Sequence, residues 1–267
     1  LLSVDNGGLY SSDGTLTFGG GLNQTGGELD IDNSTLIRLN ADINKTGGTL
    51  QTSGTSITIL SNLNITSNSE ISAKTVELGA NTLTLGSASS DLTLSDNLSL
   101  TEANVSLQTG DADLTVEGDV KLAKGQLGSS SGTLLFQKGG TQSESFEFDL
   151  GSSILSLGAG YTKKEGGNFD GSSATLNLLD NITITSDSAL AFNRLELNDL
   201  TLTLGSATTD LQVSSALTLD NANEGLITGD ADLSILAALN ISDGGVTSTG
   251  GIVSLSGGGQ LSGTGKL

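Results

Sequence analysis

Six aspartates stand in two sets of identical spacing: Asp91, Asp111 and Asp113, then Asp210, Asp230 and Asp232. Carboxylates are the hard oxygen ligands that calcium selects, and turn carbonyls could complete its set of six to eight oxygens. The same side chains can instead accept backbone N–H bonds at turns, with no metal involved. Both readings are open from the residues alone. Asp91 and Asp113 directly precede the apolar triplets Leu92–Leu94 and Leu114–Val116, and Asp210 and Asp232 repeat this before Leu211–Val213 and Leu233–Ile235. If such triplets stack in register, each carboxylate pair lies roughly 5 Å apart. Like charges that close destabilise a ladder, so something must relieve them. Neither a calcium nonapeptide repeat nor an EF-hand loop is present.

Other chemistry has little to work with. The chain has no histidine and no cysteine, and a serine without a base is a poor nucleophile. Paired aspartates can hydrolyse glycosides, but six Phe and two Tyr offer few platforms for sugar rings. Each acid pair also recurs, which suits a scaffold better than a single cleft. The expectation is a protein that is not an enzyme.

The elements that position these residues follow from a repeat. The stretch TGDADL occurs at Thr109–Leu114 and again at Thr228–Leu233, a shift of 119 residues. The same shift carries TLTLGSASSDL (Thr82–Leu92) onto TLTLGSATTDL (Thr201–Leu211). Copy one spans 1–119, copy two 120–238, and a third copy begins at 239 and runs to 267, all in one continuous solenoid. Inside each copy the signal is short apolar triplets separated by Gly, Asn, Asp and Ser, with neighbouring residues alternating in and out. In the second copy they fall into three interleaved series. One holds 176–178, 195–197, 217–219 and 239–241; another 182–184, 202–204, Leu226 and Val246; the last Leu190, 211–213, 233–235 and 252–255. Three short strands per coil of about 20–24 residues predict an all-β, right-handed parallel β-helix with coils ~4.8 Å apart. The stretch 137–145, QKGGTQSES, offers no apolar inward residue and reads as a longer loop, giving five coils plus that loop per copy. The lack of proline fits a backbone whose N–H groups are nearly all used in ladders.

Composition narrows the partners. A formal charge of −20 repels nucleic acid and anionic membrane surfaces, and no apolar run is long enough to span a bilayer. With no starting Met and no cationic, apolar leader, the chain reads as mature or excised material.

The triplets, the Gly and Asn corners and the coil length together resemble the filamentous-haemagglutinin-type repeats of large secreted bacterial adhesins. The resemblance covers most of the chain and carries over no binding residue. It implies a rod-like stalk, extracellular or on the bacterial cell surface, whose partners are neighbouring repeats. Two further expectations stand beside it: copies joined end to end in a filament, and a β-helix module that binds cell-surface carbohydrate or cations. No cofactor is implied beyond the calcium reading of the aspartates.

Overall fold

A triplet such as Leu-Thr-Leu sends its first and third side chains to one side and its second to the other. When each coil repeats this, the inward leucines stack on their counterparts above and below. The computed structural model describes residues 1–11, 13–32, 36–164 and 166–267, and most of its strands have this arrangement, while a few such as Glu147–Asp149 bury the middle residue instead. The described residues form 38 strands of three to five residues and no helix. Every strand pairing is parallel, with partners 19 to 24 residues apart, from Ser56 with Thr75 to Leu83 with Leu107. Three strands make one coil, and the chain winds through about 12 turns.

The three faces can be followed along the rod. The first runs as a nine-stranded sheet from Leu2–Val4 to Asn168–Asp170, then a four-stranded one from Leu190–Phe192 to Val253–Leu255. The second has three strands (Gly8–Tyr10 to Thr49–Gln51), then seven (Ile71–Ala73 to Arg194–Glu196), then three (Leu217–Leu219 to Gly259–Leu261). The third has four strands (Thr15–Phe18 to Thr75–Glu77), then eight (Leu98–Leu100 to Gly245–Ser248). Within the core, Leu92, Leu114, Leu134, Leu155, Leu176 and Leu195 form one vertical file of in-register partners, all buried. Burying each such leucine contributes about 1.5–3 kcal/mol, which is how triplets too short to be stable alone hold together.

Corners need special backbone. Gly48 has φ +72°, and a Cβ there would come 2.5 Å from the carbonyl oxygens of Gly26 and Gly27 in the coil below. A side chain at that point would force two coils apart.

Two of the three interleaved series stand as the sequence implied. Ile182, Leu202, Leu226 and Val246 are in register, as are Leu190, Leu211, Leu233 and Val253. The remaining series is interrupted: Leu195–Leu197 and Leu217–Leu219 lie at the ends of separate sheets. The expected loop at 137–145 is corrected as well. Gly140–Gln142 is a ladder strand, paired with Val120–Leu122 below and Tyr161–Lys163 above. It escaped notice because its main inward residue, Gln142, is polar, although fully buried.

That correction changes the count of coils. The shift of 119 residues takes strand Thr82–Leu85 to Thr201–Leu204, which is 17 strands further on rather than 18. One copy is therefore five coils and two faces. Thr82–Leu85 lies on the first face and Thr201–Leu204 on the third. The interruptions are copied in the same way. The break between Thr49–Gln51 and Ile71–Ala73 on the second face recurs between Asn168–Asp170 and Leu190–Phe192 on the first.

Candidate functional site

The aspartates are placed by the turn that enters each triplet. Asp91 Oδ1 accepts the backbone N–H of Asp113 in the next coil (2.8 Å), and Asp113 Oδ1 accepts that of Thr133 (2.6 Å). The second copy repeats this from Asp210 to the N–H of Asp232 (2.8 Å) and from Asp232 to that of Ile252 (2.7 Å). Each carboxylate thus bridges two coils, and the N–H dipole facing it offsets the repulsion between stacked charges. Amides do the same work elsewhere: Asn97 Oδ1 accepts from Asp119 N and Asn181 Oδ1 from Thr201 N, both at 2.7 Å. An amide oxygen therefore makes the same kind of bridge without a charge. Asp111 and Asp230 sit apart at exposed turns and accept hydroxyls, Ser131 Oγ at 2.7 Å and Thr249 Oγ1 at 3.1 Å. Among the described residues no three acids converge in a group able to hold a metal ion.

A second set of polar residues lies inside the rod. In the first copy Gln24, Lys45 and Ser67 are successive inward partners, and in the second Gln142, Lys163 and Ser186. All six are buried. Gln24 Nε2 donates to Thr49 O at 2.8 Å, and Gln142 Nε2 donates to Asn168 O, the matching carbonyl, at 2.7 Å. Lys163 reaches out to Asp187 Oδ1 at 2.8 Å, and that hydrogen bond holds the Asp187 carboxyl below the usual carboxylate range. Lys45 has no carboxylate at this place. Its Nζ donates to Asn68 Oδ1 (2.7 Å) and Ser69 Oγ (2.9 Å), and burial pulls its pKa down from the ordinary lysine value. None of these four long side chains stood out in the sequence, because they close triplets (LNQ, INK, GTQ, YTK) at positions where an apolar residue is the usual inward group.

Where the ladder opens, the surface opens too. Between Thr75–Glu77 and Leu98–Leu100 lies a groove of about 340 Å³ lined by Glu77, Asn97, Ser99 and Glu102. Its edges are closed by the bonds Asp96 N to Lys74 O (3.0 Å) and Ser106 N to Asn81 O (3.1 Å). The copied groove, about 430 Å³, is lined by Arg194, Glu196, Asp199, Thr218 and Asn221. Ser215 N to Asn193 O (2.7 Å) and Gly225 N to Leu200 O (3.2 Å) close it. The second groove is mainly polar, whereas the first also has Val76 and Leu78 in its walls and is more apolar than polar; each exposes strand edges without a partner strand. Such a surface can hydrogen-bond hydroxyl-rich or cationic groups.

Against known proteins, the chain matches no family model, no curated protein and no solved structure.

Proposed function

We propose that the chain is a rigid, non-catalytic stalk segment of a long extracellular bacterial surface protein or fibre, of the kind built from filamentous-haemagglutinin-like repeats. The observation that carries this reading is the unbroken apolar column, a single core cluster extending from Val4 to Val246. Each coil is pinned to its neighbours by in-register pairing, so the column resists bending and extends by adding copies. The acid turns serve that column as inter-coil bridges, and the −20 charge keeps neighbouring rods apart in solution.

Electron microscopy of the negatively stained chain, with and without calcium, tests the proposal. Separate rods ~60 Å long follow from about 12 turns at the usual strand spacing. Long filaments of constant width would replace the stalk with an end-to-end polymer, and filaments only with calcium would give the aspartates a metal role. The duplicated grooves favour a second reading, a module holding carbohydrate or cationic groups on its flank. Titration with neutral oligosaccharides and with basic peptides, followed by amide chemical shifts at Glu77, Ser99, Glu196 and Thr218, decides it: no shift at either groove removes that reading.

A further inference from the structure

Lys45 and Lys163 occupy the same place in the two copies, yet one faces an amide and the other a carboxylate. Asn68 stands where the second copy has Asp187, within the matched stretches SNSE and SDSA. An ammonium with its stem buried and no counter-ion is costly, and a carboxylate relieves that cost. The amide beside Lys45 is also polarised by it. Asn68 is exposed, so water reaches it. Its Oδ1 accepts a charged hydrogen bond from Lys45 Nζ at 2.7 Å, which draws electrons from Cγ. Its Nδ2 is held by Thr46 O at 3.0 Å, and the next residue, Ser69, is small.

We propose that Asn68 is a deamidation site at which Lys45 activates the side-chain carbonyl and the aspartate product supplies the carboxylate that Lys163 already has. The main-chain nitrogen of Ser69 attacks Asn68 Cγ, the Cγ–Nδ2 bond breaks, and the proton lost from the attacking nitrogen leaves with Nδ2 as ammonia. Water then adds to the cyclic imide and reopens it, returning a proton to the nitrogen and leaving aspartate or isoaspartate. The sum is one water consumed and one ammonia released, with no change of oxidation state. Desolvation that lowers the lysine pKa adds to the drive, because a carboxylate partner restores the charged form.

The experiment ages the whole folded chain in mildly alkaline buffer and follows Asn68 by peptide mass mapping, beside Lys45→Met and the chain in denaturant. Conversion at Asn68 is expected to run severalfold faster in the native chain than in Lys45→Met, and the melting temperature of Asn68→Asp is expected above that of the parent. Equal rates in the parent and in Lys45→Met overturn the proposal, as does conversion seen only in denaturant. If Lys45→Met does not fold, an Asn68→Asp melting temperature at or below the parent's is enough to reject it. A product lighter by one ammonia with no water added, joining Lys45 to Asn68, would also overturn it, because lysine would then be the nucleophile.

Discussion

Gln24 and Gln142 sit at the same point in the two copies and end up in different circumstances. Above Gln142, Tyr161 donates its hydroxyl to Oε1 at 3.0 Å, and full burial pushes that phenol's pKa up. Above Gln24 the same position holds Ile43, and Gln24 Oε1 is buried with no hydrogen-bond partner. The surroundings diverge likewise. Leu29, Leu50 and Ala73 in the first copy are Phe148, Phe169 and Phe192 in the second. There Phe148 packs edge-on to Phe169 with centroids 5.4 Å apart, and Phe169 meets Phe192 at 5.5 Å. In the first copy a void of about 10 Å³, lined by Ile43, Leu50 and Ile65 among others, remains. The coil frame thus tolerates a polar inward file in both copies, and the difference lies in one atom: Gln142 Oε1 has the Tyr161 hydroxyl, while Gln24 Oε1 has no such donor.

Substitutions can break or sharpen that contrast. Phe148→Ala removes the ring that touches Phe136, Phe146 and Phe169, and a loss of about 3–5 kcal/mol is expected. Hydrogen exchange of amides in the second copy should report it, while the first copy keeps its protection. Equal loosening of both copies would mean that the cluster is not a local anchor. Tyr161→Phe leaves Gln142 Oε1 in the state of Gln24 Oε1, at a cost of about 1–3 kcal/mol. If thermal melting shows no loss, the unpaired oxygen in the first copy is not a defect.

Asp187→Asn recreates the first copy's lysine partner in the second. Because Asp187 is about one-third exposed, the cost is expected near 1–2 kcal/mol, less than for a fully buried pair. The pH dependence gives the sign. A carboxyl held below its unfolded value contributes stability above about pH 4 that is lost as pH falls through the folded pKa. Acid melting of the parent should therefore show a step that Asp187→Asn lacks. Lys45 behaves in the opposite sense. Its folded pKa is lowered, so the unfolded chain binds the extra proton, and stability should rise with pH up to the free-lysine value of about 10.4. The smallest effect is expected at Asp113. Asn keeps the oxygen that accepts Thr133 N–H, so Asp113→Asn should change stability by less than about 0.5 kcal/mol. Asp113→Ala removes the acceptor and should cost about 1 kcal/mol. A loss in Asp113→Asn that appears only with calcium present would restore the metal reading.

Much of the fold was legible because apolar alternation and copied turns are written in residue types. Leu202, Leu226 and Val246 line up since apolar residues at one triplet position are buried against each other coil after coil. The aspartates were legible as a stacked pair, but the donor to Asp91 belongs to the coil above, and no sequence window shows that N–H. Gln142 and Lys163 were hidden for a related reason. Their burial is made affordable by partners 19 to 26 residues away, Tyr161, Asn168 and Asp187, so hydropathy alone does not mark them as inward residues. The interrupted series at Leu195–Leu197 was equally hidden, as its triplets have the right pattern and only the ladder between them is open.

The 17-strand repeat has a consequence for how such a rod meets its surroundings. Each copy is turned by one side of the triangle relative to the last, so Glu77 and Glu196 point along different compass bearings although they are the same residue in the repeat. The bearing comes round again only after three copies, like a spiral stair that returns to its starting wall every third landing. A rod built this way has no single front. Whatever one copy displays, a run of three displays all around the shaft, and a partner can engage it from any side without the rod having to rotate.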